Sequence, residues 1–266
     1  MPETLEALVL AAPGGPLVVP RSCARRVHFS LIVPTFNESD NILAFLSALR
    51  EVLDPALGED YEIVVVDDDS PDGTGELAAR TALTYPQLRV VRRRGERGLA
   101  RAVIRGWQVA NGDILGTINA DFQHPPAVLA EMLAQMGRAD IVVASRFAEG
   151  GGLGDWAMHR RINSRVAHQF GRIILPQAFR RTSDPLSGCY IFRRQAIAGI
   201  ELHPLGFKTL MEILVRGDFR QVREVSYEMR ARQRGASKLR MRHWFDYFYH
   251  LLRLRRAAMF QRLRAR

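Results

Sequence analysis

The sequence predicts an α/β protein built on a mostly parallel sheet with helices on both faces. Three observations carry that expectation. Short apolar runs recur along the first half of the chain, each stopped by a polar or proline-containing turn. Amphipathic stretches of helical period separate them, giving five strand–helix alternations, a spacing that favours parallel strands joined by right-handed crossovers. At 266 residues the chain is long enough to bury a sizeable core.

His28–Val33 reads as the first of these strands, closed by Pro34, and Ser39 or Asp40 can cap a helix carrying Ile42, Leu43, Phe45, Leu46 and Leu49. Tyr61–Val66 is a buried strand running into Asp67, Asp68 and Asp69, and a helix with Leu77, Ala78 and Leu83 leads to a short strand at Leu88–Val91. Gly98–Ala110 is helical. The stretch Asp113–Pro126 then forms a strand that ends in Asn119, Asp121, Gln123 and His124, where Pro125 and Pro126 stop it and suit a first helical turn. Val128–Met136 is the next helix and Ile141–Ala144 the fifth strand, ending in Ser145 and Arg146. Beyond the glycine-rich loop 149–154, a plausible lid, helices are expected at His159–Leu175 and Phe207–Val215 and strands at Cys189–Phe192 and Gln221–Met229. Met241–Leu263 repeats Trp244, Phe245, Phe248, Leu251, Leu252, Met259 and Leu263 at helical intervals among arginines.

Charge is concentrated at one end. The net charge is +10, yet residues 229–266 hold twelve Lys/Arg against one acid, while the first 228 hold 26 basic and 27 acidic side chains. A basic, amphipathic C-terminal helix with aromatic residues fits an anionic membrane interface, each basic residue near such a surface adding about 1 kcal/mol. A core-packing helix with a solvated basic face is the plainer alternative. No window approaches the apolar length of a membrane span. The apolar N-terminal stretch is broken by Pro13, Gly14, Gly15 and Pro16 and lacks a basic start, so residues 1–27 read as a flexible lead-in rather than a secretory signal. Two cysteines, Cys23 and Cys189, build no disulfide framework and point to a reducing compartment.

Three strand ends bring acids or amides to one sheet edge: Glu38, Asp67 to Asp69, and Asn119, Asp121 and Gln123. In open α/β sheets ligands bind beyond the carboxyl ends of strands. If the chain stays extended, positions 119, 121 and 123 face one side and offer oxygen ligands to Mg²⁺ or Mn²⁺. His124 is read as structural. Opposite the acids stand Arg146, Arg160, Arg232, Arg234 and Lys238, whose charges suit phosphate oxygens. Neither a G-x-G-x-x-G after the first strand nor a Walker A sequence is present, which argues against a dinucleotide site and a P-loop ATPase.

PTFNE (34–38), VVVDDDSPDGT (64–74), NADFQHPP (119–126), SRF (145–147), RRINS (160–164), DPLSG (184–188), GFK (206–208) and RQRGASKL (232–239) occur in this order. As an ordered set they resemble the family 2 glycosyltransferases of the GT-A fold, and within them the dolichyl- or polyprenyl-phosphate mannosyltransferases, over residues 28–239. The resemblance implies a GT-A domain over 28–239 and leaves 240–266 as the interfacial helix. It implies an inverting transfer of mannose from GDP-mannose, the nucleotide-sugar donor, to a polyprenyl or dolichyl phosphate. Pro34, Phe36, Glu38, Val65, Asp67 and Lys208 match positions that hold the donor. Asn119, Ala120, Asp121 and Gln123 match the metal and diphosphate motif, with Asn119, Asp121 and Gln123 as metal ligands. Arg146, Arg232 and Lys238, with Asp121, take the catalytic positions that grip phosphate, and Arg160 and Ser164 face the acceptor phosphate.

Two departures stand out: Asn119 replaces the first aspartate of D-x-D, and Phe36 replaces a tyrosine. The amide lacks negative charge, so metal affinity is expected to fall. That keeps open a catalytically weak nucleotide-sugar-binding subunit; because sugar identity is set by pocket shape rather than by these motifs, a UDP-glucose-dependent polyprenyl-phosphate glucosyltransferase is the other alternative. A nucleic-acid partner is not expected, because the tail's aromatics follow helical rather than stacking spacing. The expected location is the cytoplasmic face of a membrane, peripherally, with or without a membrane-spanning partner subunit.

Overall fold

A computed structural model describes residues 9–23, 25–154, 158–206, 208–230 and 242–264. Among these, eight strands form one sheet in the order β1-β4-β3-β2-β5-β7-β6-β8. In chain order they are β1 (Val9–Ala11), β2 (Val27–Thr35), β3 (Tyr61–Asp67), β4 (Leu88–Arg92), β5 (Gly112–Thr117), β6 (Ile141–Ser145), β7 (Tyr190–Arg193) and β8 (Val222–Ser226). The helices are α1 (Ser39–Leu57), α2 (Thr74–Ala82), α3 (Leu99–Val109), α4 (Val128–Gln135), α5 (Met158–Ile174), α6 (Pro176–Phe179), α7 (Thr209–Arg216) and α8 (Arg242–Arg264).

Strand alternation divides the core into two layers. Leu31, Val33, Ile63 and Val65 pack with Ile42, Phe45, Leu46 and Leu129 on one side of the sheet. Ile32, Val64 and Val66 pack with Val103, Trp107, Leu210 and Leu251 on the other. Because both faces are covered, the central strands read as continuous apolar runs rather than alternating ones. Gly106 permits the close approach of α3, since a Cβ there would come within 2.5 Å of Ile32 Cγ2.

The sheet is mostly parallel, as expected, and one expectation, that of the N-terminal segment, needs correction. β7 runs antiparallel to both β5 and β6, so the sheet is mixed, although the other strands keep their carboxyl ends on one edge. The described part of the N-terminal segment is no loose lead-in. β1 pairs in parallel with β4, Val19 is fully buried and bridges Ala198, and the Cys23 thiol donates to the Asn111 carbonyl at 3.0 Å.

Candidate active site

The shared register brings the carboxyl ends of β2, β3, β4 and β5 side by side: Thr35 lies opposite Asp67, Asp67 opposite Arg92, and Ile32 opposite Thr117. The loops that leave this edge are strained in the same way. Among the described residues, the non-glycine positions with positive φ are Asn37 (54°), Asp69 (55°) and Phe122 (56°), one in the loop after each of β2, β3 and β5. Such conformations cost energy and persist where surrounding contacts enforce them, most often at functional sites.

Those contacts come from short polar side chains. Asp67, only 1% exposed, accepts from Thr35 Oγ1 (2.9 Å), the Ser70 amide (2.8 Å) and Ser70 Oγ (2.6 Å). The Glu38 amide donates to Thr74 Oγ1 at 2.9 Å, the Asn37 amide to Ser70 Oγ at 3.1 Å and the Ser39 amide to Asp72 at 3.0 Å. The loops after β2 and β3 are thereby laced together. Glu38 Oε2 accepts from Asn41 Nδ2 at 2.9 Å.

The cations expected to balance the acids are partly other ones. Arg93, fully buried, donates to Asp68 at 2.7 Å, and the Gly98 amide donates to the same carboxylate at 2.8 Å. Burial nonetheless pushes the Asp68 pKa up to about 6, against the pull of Arg93 and Gly98. Arg92 pairs with Asp69 at 2.7 Å, and the Arg97 guanidinium lies 5.0 Å from the Phe36 ring centroid. The run Arg92-Arg93-Arg94 at the end of β4 was the available signal for this cluster, and sequence reasoning passed over it.

The loop after β5 carries the central motif, and it is not extended. The Gln123 amide donates to Asp121 Oδ1 at 3.2 Å, an Asx turn that with the left-handed Phe122 folds the chain back on itself. Positions 119, 121 and 123 therefore do not share one side as an extended strand would place them. Phe122 instead packs edge-on against Phe45 at 5.0 Å, and the Gln123 carbonyl accepts from the Arg230 amide at 3.1 Å.

Asp121 is 4% exposed, and the Asn119 amide oxygen is buried without a hydrogen-bond partner. Gly188 makes the room: a Cβ there would lie 3.0 Å from Asn119 Nδ2 and 3.3 Å from His124 Cε1. His124 stacks on Tyr227 with centroids 5.0 Å apart, and burial pushes its pKa down to about 4, so the ring is neutral at neutral pH. An orphaned amide oxygen beside a buried carboxylate fits a hard divalent cation that keeps water and phosphate as its other ligands. Among the described residues no three His, Cys, Asp or Glu side chains cluster to hold a metal by themselves.

Arg146 follows β6 as expected, but its fork is already engaged. Nε and Nη2 each donate to Asp184 at 2.7 Å, and the pair is buried. Asp184 belongs to the 184–188 motif, where sequence reasoning gave it no role. Lys208, partly buried, donates to the Leu186 carbonyl at 2.7 Å; burial, then the charge of Arg146, pushes its pKa down to about 7 against the pull of Asp184. Pro34, Val65 and Ala120 are buried, and Val65 is fully enclosed in the core of β3, which leaves its side chain no surface for a nucleotide. Ser164 sits partly buried on α5, which also contains Arg160. Arg232, Arg234 and Lys238 lie outside the described residues.

Glycosyl transferase family 2 matches residues 30–200. The chain is 43% identical over 226 residues to a dolichol-phosphate mannosyltransferase of Pyrococcus furiosus, covering 85% of this chain and 63% of that protein, so it spans less than two-thirds of that relative. It is 32% identical over 236 residues to a dolichol-phosphate mannosyltransferase of Mycosarcoma maydis, covering 85% of this chain and 79% of the relative. Among solved structures it is similar to a mannosyltransferase from Pyrobaculum calidifontis in complex with GDP-Man and Mn²⁺, with a TM-score of 0.61, 21% identity, and coverage of 94% and 70% of the two chains. It is also similar to glucosyl-3-phosphoglycerate synthase from Mycobacterium tuberculosis, with a TM-score of 0.57, 20% identity, and coverage of 89% and 80%. At these identities the structural likeness speaks for the GT-A fold alone.

Proposed function

We infer, because this chain belongs to glycosyl transferase family 2, that it transfers mannose from GDP-mannose to a polyprenyl phosphate at a membrane surface. The observation that carries the reading is the turn at Asn119–Gln123, at the carboxyl edge of β5, with its buried carboxylate and orphaned amide oxygen. An acceptor phosphate oxygen attacks the anomeric carbon and forms the new C–O bond with inversion. The bond from that carbon to the β-phosphate breaks, and GDP leaves with the electron pair. The acceptor is already anionic at neutral pH, so no strong general base is required. This agrees with His124, which is neutral, buried and stacked rather than poised to take a proton.

Asp121 and Asn119, with Gln123 brought back by the turn rather than by an extended strand, would hold a divalent ion, Mg²⁺ or Mn²⁺. When bound, the ion neutralises charge on the leaving diphosphate. The rest of the site binds and orients. Phe36, faced by Arg97, offers an aromatic surface for the base, while Glu38 and Asp67 fix the loops around it. Lys208 supplies positive charge that a bound phosphate would strengthen by raising its pKa. Arg146 is held rigid by Asp184 and adds its field to the phosphate region, and Arg160, Ser164, Arg232 and Lys238 are the candidates for acceptor and donor phosphates.

Membrane association rests on two helices rather than one. The outer face of α8 exposes Phe245, Tyr249, Leu252 and Met259, and α5 exposes Ile162, Val166, Phe170 and Ile173. The two helices touch, with Phe170 and Phe248 at 5.1 Å. The proposed attachment is through these two exposed faces, on the side where the soluble donor is supplied; no helix among the described residues is long and apolar enough to cross a membrane. The proposed limits 28–239 and 240–266 divide roles rather than folding units, since Val19, Leu251 and Leu254 belong to one buried cluster with the sheet.

Asn119 favours a second reading, a subunit that binds the donor but turns it over poorly. A transfer assay with labelled GDP-mannose and UDP-glucose against polyprenyl phosphate, with Mg²⁺ or Mn²⁺, separates the two. Lipid-linked product is expected from GDP-mannose, lost on chelation and equal or greater for Asn119→Asp. Tight GDP binding without product from either donor would sink the transferase assignment.

A further inference from the structure

A cavity of about 480 Å³ opens beside α5, and its lining shares no residue with the donor, metal or acceptor positions above. Its walls are Phe147, His168, Arg172, Phe179, Arg180 and Ser183. The volume falls within the range of small-molecule pockets, about 300–1,000 Å³. The ring of His168 is clamped between two aromatics, with centroid distances of 4.9 Å to Phe147 and 4.8 Å to Phe179, and its Nε2 lies 2.7 Å from the Ser183 carbonyl. A ring held in this way is a fixed wall.

The two guanidinium groups distinguish this cavity. No acid lines it, and neither Arg172 nor Arg180 has an ion pair or side-chain hydrogen bond among the described residues. Both are exposed at the rim, whereas the buried or half-buried Arg89, Arg92, Arg93, Arg105, Arg146 and Arg216 each meet a carboxylate and buried Arg194 meets backbone carbonyls. Arg165 extends the charge along the same side of α5, since residues 165, 168 and 172 recur at helical spacing, and it is exposed. Two solvated arginines would need no aromatic chamber between them. A concave site with forked cations on its rim matches a phosphate group carried on a larger body, and a bare phosphate ion would fill only a small part of it.

We propose that this cavity binds a phosphate ester, either the headgroup of an anionic phospholipid or a soluble phosphomonoester, separately from the donor and acceptor positions. The exposed Phe170 and Ile173 on the neighbouring strip of α5 place an apolar surface next to the cavity, where the chains of a lipid so held would lie. The inference stands apart from the transfer reading, because it requires neither GDP-mannose nor a polyprenyl acceptor.

The test follows the His168 ring resonances in the full-length protein, identified with a His168→Gln control. The additions are glycerol 3-phosphate, vesicles of phosphatidylcholine alone, and the same vesicles containing phosphatidylglycerol. A saturable shift of His168 is expected with glycerol 3-phosphate, with the phosphatidylglycerol vesicles, or with both. The first arm identifies a soluble ester and the second a headgroup. The double variant Arg172→Gln, Arg180→Gln should weaken either by about tenfold or more while GDP binding stays unchanged. An immobile His168 in every arm, or equal affinity in the double variant, would overturn the proposal. So would a shift produced by a short polyprenyl phosphate alone, since the cavity would then belong to the acceptor.

Discussion

Arg146 and Asp184 show how a residue singled out from the sequence acquires a different first partner. The arginine was found from its position after β6, but the bidentate contact with Asp184 places both groups in the interior. A buried ion pair contributes modestly by itself, yet removing one member strands the other charge in a poor solvent, at about 3–5 kcal/mol. Asp184→Asn is therefore expected to lower unfolding free energy by roughly that amount, read from urea denaturation at neutral pH. A loss below about 1 kcal/mol would mean that the pair is solvated. The candidates for the site were legible where they sat in ordered motifs, as with Asn119, Asp121 and Gln123. Their geometry was not, because the turn at Phe122 depends on contacts with Phe45 and Arg230 that no local pattern encodes. Arg93 was missed for the same reason, since its partner Asp68 lies across two strand ends.

Helix positions followed from apolar spacing almost to the residue: Met241–Leu263 was expected and Arg242–Arg264 is found. What spacing cannot say is which apolar side chains face inward. In α8 Tyr247, His250, Leu251 and Leu254 are buried against the body of the protein, while Phe245, Tyr249, Leu252 and Met259 face out. The core-packing reading of this helix thus holds on its inner face, and the outer face is the one the proposed membrane role would use; the side chains of Trp244 and Leu263 lie outside the described residues. Deleting the helix would open the core, so the cleaner test is Phe245→Ser, Tyr249→Ser and Leu252→Ser together. At about 1 kcal/mol lost per side chain leaving the interface, binding to phosphatidylglycerol vesicles should fall by about a hundredfold, with the fold intact. Unchanged vesicle binding would rule out this face. The orientation of β7 was beyond reach for a similar reason, since the short apolar run Cys189–Phe192 reads the same in either direction.

For the whole molecule, strand–helix alternation sufficed to predict the sheet, and the pH response emerges only from burial. His124 takes its proton near 6.5 when unfolded and near 4 when folded, so stability falls as pH drops through that window. Asp68 acts in the opposite sense: its folded carboxyl holds a proton up to about 6 and its unfolded one gives it up near 3.8, so stability rises as pH falls between them. The two largely offset each other in the native sequence. His124→Phe keeps the stack on Tyr227 and removes one arm. Between pH 7 and pH 5 its stability relative to the native protein should improve by about 2 kcal/mol, measured by urea denaturation at both values. No relative change would show that the imidazole is not excluded from protonation.

The short strand Val9–Ala11 has a consequence of its own. It caps the side of β4 that would otherwise present a ladder of bare amides and carbonyls to any passing chain. A protein trimmed past Ala11 would keep its catalytic edge and yet carry an open seam, sticky toward its own copies. Three residues at the start of the described chain thus leave the sheet a shorter edge than the five-residue β4 would present.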